Sequence, residues 1–160
     1  MLIKVQHEDF DSGLVTDYFR QYAGQVGAIV SFAGLVREFQ HQADDPEQVQ
    51  ALTLEHYPGM TEASLQKIAQ EAQTKWDLND VVIIHRVGTL YPADNIVLVA
   101  TASAHRQHAF ESCQYIMDIL KTSAPFWKKE ETNQGSRWVE AKSSDQDAAS
   151  QWASKDQMAR

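Results

Sequence analysis

The stretch LKTSAPFWKKE (120–130) gathers Lys121, Lys128 and Lys129 around Pro125, Phe126 and Trp127. Pro125 disfavours helical geometry at Ala124, so a helix reaching Lys121 must end there. A cation in that last turn complements the helix dipole. Beyond the proline, extended backbone puts Phe126, Lys128 and Glu130 on one face and Trp127, Lys129 and Glu131 on the other. A lysine against an aromatic wall, with a second ammonium nearby, has its charged form disfavoured and can serve as base or nucleophile. A solvated hairpin edge is the competing account, and composition leaves both open.

Two further motifs carry cations. SAHRQHAF (103–110) sets Ser103 as a helix cap and His105 and Arg106 in the first turn, where free N–H groups favour a phosphate or carboxylate. The plainer reading is an ordinary exposed first turn. FAGLVRE (32–38) ends an apolar strand with Gly34 and Arg37, a guanidinium able to fork onto phosphate or simply to snorkel. His105, His108 and Glu111 drift around the helix at i, i+3 and i+6, so no metal site is expected. His56 and His85 lie in strands and read as sheet residues. His105 and Lys121 are sixteen residues apart on one helix, roughly 24 Å. A small ligand reaches both only if a homodimer brings His105 and Arg106 of one chain to Lys121 and Lys128 of the other; otherwise they serve separate sites.

The elements that must hold these residues are legible as periodicity. Leu14, Val15, Tyr18, Phe19 and Tyr22 recur at helical spacing. Residues 26–36, 51–57, 80–88 and 95–103 read as strands. Thr61 caps a helix to Trp76 with Leu65, Ile68, Ala69 and Ala72 on its core face. A helix over 104–122 carries the stripe Ala109, Phe110, Cys113, Ile116, Met117 and Leu120. FWKKEE and SRWVEA form a hairpin about TNQG. Residues 40–49 read as an exposed, mobile loop, and a helical C-terminal segment frays over about 154–160. These elements predict one α+β domain over residues 1–160, helices packed on a mostly antiparallel sheet.

The net charge of −8 argues against nucleic acid and anionic membranes as partners. Between His105 and Lys142, however, six Lys/Arg face five Asp/Glu, which suits a small anion. Cys113 is the one cysteine, so no internal disulfide or thiolate cluster is available, as in a reducing cytoplasm. No apolar run reaches membrane-spanning length and the N-terminus has no signal-peptide core, so a cytoplasmic location is expected.

FAGLVRE, LTLEHYPGM, IIHRVGTLYPAD, TASAHRQHAF, IMDILKTSAPFWKKE and RWVEA follow one another over about residues 26–145. In that order they resemble the catalytic (large) subunit of molybdopterin synthase. The resemblance implies an α/β-hammerhead-type fold and a sulfurtransferase without a cofactor of its own. Its partner would be a small ubiquitin-like sulfur-carrier subunit whose C-terminal Gly-Gly bears a thiocarboxylate. The sulfur would pass to cyclic pyranopterin monophosphate, two rounds building the dithiolene of molybdopterin, in a heterotetramer centred on a homodimer of this chain. Lys121 and Lys128 match the catalytic lysines, and Arg37, His105 and Arg106 match substrate-binding positions. Leu35, Val36, Lys129 and Glu130 line the same motifs. On the same grounds Lys121 would polarise the acyl group or assist proton transfer, and Lys128 would hold substrate charge. The chain departs from the pattern at Leu35, where relatives can carry lysine, and at Lys142, where an arginine can occur. A non-catalytic scaffold keeping the fold is the rival reading, against which the retention of both lysines speaks.

Overall fold

The computed structural model describes residues 1–37, 49–139 and 143–158. Along the chain run β1 (Leu2–Gln6), α1 (Leu14–Phe19), a 3-10 turn (Arg20–Tyr22), β2 (Ala28–Leu35) and β3 (Val49–His56). There follow α2 (Met60–Trp76), β4 (Asp80–Arg86), β5 (Gly88–Leu90), β6 (Asn95–Ser103) and α3 (Arg106–Ser123). The hairpin β7 (Phe126–Thr132) and β8 (Gly135–Val139) leads to α4 (Ser143–Met158). Residues 40–48 of the loop expected over 40–49, together with Lys142, lie outside the described residues, as do the last two residues of the expected frayed tail, and Val49 opens β3 instead.

The strands form two four-stranded sheets, ordered β1-β4-β6-β2 and β5-β3-β7-β8. Every pairing is antiparallel except β1 with β4. What reads in sequence as one strand over 80–88 is divided between the sheets. β4 ends at Arg86, and the chain swings at Gly88 into β5. Gly88 sits at φ +89°, and a Cβ there would lie 2.7 Å from His7 Nδ1, so only glycine fits the swing.

Strand alternation sorts the first sheet's side chains to two faces. Val81, Ile83, Val97 and Val99 meet Leu65, Ile68 and Ala72 of α2, Ile116 and Leu120 of α3, and Trp152 of α4. Val82, Leu98, Ala100 and Ala102 meet Val15 and Phe19 of α1 on the other face. Each fully buried leucine or isoleucine in these layers contributes about 1.5–3 kcal/mol. Tyr18 and Tyr22 donate to Asp80 Oδ2 at 2.9 and 2.7 Å, tying α1 and its 3-10 turn to β4. Burial, with the Asp80 carboxylate beside it, pushes the Tyr18 phenol up to about 12.

Local readings hold with four adjustments. Phe110, read as part of the α3 core stripe, is 62% exposed, because Ala109, Cys113, Ile116, Met117 and Leu120 already fill the buried face. The α2 cap is Gly59, whose N–H donates to Glu62 Oε2 at 2.7 Å, rather than Thr61, which is buried one position inside the helix. The α3 cap is His105; Ser103 is the last residue of β6, its Oγ accepting from the His105 N–H at 3.3 Å. The C-terminal helix has an anchor that periodicity understates: Trp152 is buried edge-on to Trp76 and donates through Nε1 to Asp118.

Candidate active site

The junction between α3 and β7 is pinned from two other elements. Ser64 Oγ of α2 donates to the Ser123 carbonyl at 3.2 Å, and Thr61 Oγ1 donates to the Pro125 carbonyl at 3.1 Å. Thr61 also accepts from the Tyr57 N–H at 3.1 Å, so one buried hydroxyl joins both ends of the β3–α2 connection to the proline. From β4 the His85 ring stacks on Phe126 with centroids 3.8 Å apart and planes at 18°. These contacts fix where Lys121, in the last turn of α3, stands relative to Lys128 on β7.

Burial drives the His85 imidazole down to about 4, so the ring is neutral at physiological pH. Its Nδ1 lies 2.8 Å from the Arg86 carbonyl, which sets that nitrogen as the donor. His85 is therefore a clamp rather than an acid or base at neutral pH. His56 is cross-strand from Phe126 and lies 3.7 Å from Glu62.

Lys121 is half exposed, its Nζ 3.5 Å from Asp145 Oδ1 in the first turn of α4. Across the β3–β7 ladder, Leu54 faces Lys128 and Leu52 faces Glu130. Leu52 and Leu54 pack with Val36 and Leu90 in a third buried cluster. Val36 is held further by backbone bonds of 2.9 Å to Asp94 and Ala93. That cluster delivers the segment Leu35–Arg37 to the face of β7 that carries Lys128 and Glu130. Arg37 is exposed next to buried Val36, and Leu35 ends β2 at 49% exposure. Lys129 points to the opposite face and pairs with Glu131 at 3.7 Å. Glu130 is 5% exposed and takes both Nε and Nη2 of Arg137, at 3.2 and 3.1 Å, on one oxygen. Arg137 and Asp145 are absent from the sequence reading. Arg137 was within reach, since a two-residue turn at Asn133–Gln134 sets it opposite Glu130. Asp145 gave no such signal.

His105 and Arg106 stand apart from this group. Both are exposed at the start of α3, beside the first residues of β2. The turn carrying them is seated on Gly27, whose N–H donates to the Ser103 carbonyl at 3.0 Å. A Cβ on Gly27 would come within 2.4 Å of the Ala104 carbonyl oxygen. Leu35 and Arg37 lie at the far end of β2, eight residues or roughly 26 Å away. Lys121 is at the far end of α3, itself 18 residues or roughly 27 Å long. One chain thus presents two cationic clusters at opposite ends of a strand and a helix.

Cys113 faces the core, its Sγ 3.7 Å from the Val99 carbonyl, and burial pushes its thiol up to about 11. It is no thiolate at neutral pH. Among the described residues no group of three or more His, Cys, Asp or Glu side chains is arranged to hold a metal. No described helix is long and apolar enough to cross a membrane.

Comparison with known proteins matches residues 5–123 to the family described as MoaE protein. The molybdopterin synthase catalytic subunit of Pseudomonas aeruginosa is 50% identical over 152 residues, covering 95% of this chain and 99% of that protein. Among solved structures, the molybdopterin biosynthesis MoaE protein from Burkholderia ambifaria superposes with a TM-score of 0.78 at 47% identity, covering 95% of this chain and 98% of that one. A chain from the complex of subunits 1 and 2 of the molybdopterin-converting factor of Helicobacter pylori shares the fold, with a TM-score of 0.66 at 20% identity, covering 88% and 90%.

Proposed function

This chain belongs to the MoaE family, and on that premise we propose that it is the catalytic subunit of molybdopterin synthase, a sulfurtransferase. It takes sulfur from the C-terminal thiocarboxylate of a small ubiquitin-like partner and passes it to cyclic pyranopterin monophosphate. Two such transfers build the dithiolene. The observation that carries the reading is the packing of Val36 on Leu52 and Leu54, which brings Arg37 to the strand face of Lys128, beside the helix end that bears Lys121.

Each transfer forms a carbon–sulfur bond at a side-chain carbon of the pterin and breaks a carbon–oxygen bond there, the oxygen leaving on the phosphate or as water, after which water cleaves the acyl–sulfur bond and leaves a carboxylate on the tail. Negative charge develops on the acyl oxygen at that cleavage, and the Lys121 ammonium is the group assigned to stabilise it. Lys128 and Arg37 hold the charge of the pterin and its phosphate. Leu35, Val36 and Glu130 shape the wall of that site, with Lys129 on the reverse of the strand. The protonated, buried Cys113 supports delivery of sulfur from a partner rather than from this chain. The complex of two subunits solved for the Helicobacter pylori factor of the same fold supports that partner.

The second cationic cluster is supplied by a second copy of the chain. β2 is an outer strand of its sheet, with Phe32 at 43% and Leu35 at 49% exposure, and Phe110 of α3 is exposed above it. Two copies pairing β2 with β2 about a two-fold axis run antiparallel, so the start of one strand meets the end of the other. That arrangement carries His105 and Arg106 of one protomer to Leu35 and Arg37 of its partner, completing the phosphate site.

Mixed dimers test this. Lys121→Ala and Arg106→Ala chains, each inactive alone, are unfolded together and refolded at equal concentration. Half the dimers are then hybrid, each with one intact site, so about a quarter of wild-type turnover returns if the site is shared. No recovery would mean that each site of a hybrid carries one lesion, so that Lys121 and Arg106 of the same chain serve one site, and would remove the second chain from it.

A further inference from the structure

We propose that Asp145 is a positioning residue for sulfur transfer: its carboxylate, carried on a separately anchored helix, holds the Lys121 ammonium ready for the acyl group. The proposal rests on the functional reading above and deepens it. Lys121 stands in the last turn of α3 and Asp145 in the first turn of α4, with Nζ 3.5 Å from Oδ1. Each charge suits its own helix end, a cation at the carboxyl end and a carboxylate at the amino end. The two partners differ in stiffness. A lysine bears its charge on a flexible four-carbon stem, whereas an aspartate bears its charge close to the backbone. The short side chain therefore fixes the long one.

That helix has a built seat. Trp152, two turns beyond Asp145 on the same face of α4, is buried edge-on against Trp76 of α2 and Tyr115 of α3, with ring centroids 5.7 and 5.5 Å away. Its Nε1 donates at 2.9 Å to Asp118, one turn before Lys121 on α3. The Lys75 ammonium closes the nest at 4.7, 5.4 and 5.5 Å from the centroids of Trp76, Tyr115 and Trp152. α4 thus meets α3 at two points, Trp152 on Asp118 and Asp145 on Lys121, and the first settles where the second lies. Removing the Asp145 carboxylate leaves the seat in place, because the pair it breaks is partly exposed and contributes little to stability. The Lys121 stem then turns into solvent.

Lys121 acts on charge that develops during acyl–sulfur cleavage, so losing its position slows that step and spares substrate binding. The effect is read in single-turnover reactions of thiocarboxylated small subunit with increasing cyclic pyranopterin monophosphate, following the dithiolene. Asp145→Ala is expected to lower the limiting rate about tenfold, the weight of a lysine's rotamer freedom. The half-saturating pterin concentration should stay within about twofold of wild type. Asp145→Glu restores part of the rate, since the carboxylate returns on a longer stem. The decisive comparison is a cycle: Asp145→Ala added to Lys121→Ala lowers the residual rate no further, because the lysine it positions is gone. Amide hydrogen exchange across α4 reports whether the helix stays seated; if Asp145→Ala loosens it, Asp145→Asn, which keeps the size and removes the charge, takes its place in the cycle. An unchanged or raised limiting rate in Asp145→Ala, a change confined to the half-saturating concentration, or effects of the two substitutions that simply multiply would overturn the proposal while leaving the role of Lys121 intact. A wild-type protein that binds the small subunit yet forms no product would overturn the functional reading with it.

Discussion

Acidification should loosen the active-site junction through a single side chain, His85. Its ring is buried between β4 and the first residue of β7, stacked on Phe126, with Nδ1 at the Arg86 carbonyl and His56 and Glu62 as the titratable groups on the adjoining elements. Burial lowers its folded-state value from 6.5 to about 4, whereas the unfolded chain titrates at the ordinary value. As pH falls below about 6.5 the unfolded state therefore binds the proton first, and stability declines until the folded ring also protonates near 4. The gap corresponds to roughly 3 kcal/mol, at about 1.4 kcal/mol per unit of pH. That is a large share of the 5–15 kcal/mol typical of a domain. The assay is urea unfolding from pH 7 to pH 4 on wild type and His85→Leu. Carboxylates contribute equally to both, so the difference in slope isolates His85. Wild type should lose roughly 2–3 kcal/mol more than the variant over that range. Parallel pH profiles would refute the buried, neutral imidazole.

Gly27→Ala should push the Ala104 carbonyl away, displacing the turn that carries His105 and Arg106; a loss of about 1–3 kcal/mol is expected in denaturant melts, with weaker pterin binding by titration. Cys113 should resist iodoacetamide in the native protein up to pH 9 and react at once in urea, and Cys113→Ala should retain sulfur transfer. Labelling of native Cys113, or lost transfer in the alanine variant, would contradict delivery of sulfur by a partner. Phe32→Asp, on the exposed edge of β2, should shift the chain from dimer to monomer in sedimentation without lowering helical content; an unchanged dimer would place the interface elsewhere.

Local physics made part of this readable from the chain. Pro125 ends α3 at Ser123, the extended backbone beyond it alternates as expected, and the hairpin closes on Asn133–Gln134. The distance between His105 and Lys121 needed only the helix rise. What escaped the reading is non-local. The division of residues 80–90 between two sheets follows from the approach of His7 to Gly88, and the seating of Val36, the neighbour of Arg37, from its packing on Leu52 and Leu54 of β3. Thr61 looked like a cap because its type suits one, but its hydroxyl is committed to Pro125, 64 residues on. Phe110 misled because aromatic character at near-helical spacing mimics a core position, whereas Ala109, Cys113, Ile116, Met117 and Leu120 already fill the buried face of α3.

The most direct test of the account is a single-turnover reaction of the purified chain with thiocarboxylated small subunit and cyclic pyranopterin monophosphate, following the dithiolene. Wild type should form product, and Lys121→Ala should form at least ~100-fold less while binding the small subunit and melting within about 1 kcal/mol of wild type, since the half-exposed pair with Asp145 contributes little stability. Undiminished turnover in Lys121→Ala would contradict the role given to that lysine, and a wild-type chain that binds its partner without forming product would make it a scaffold.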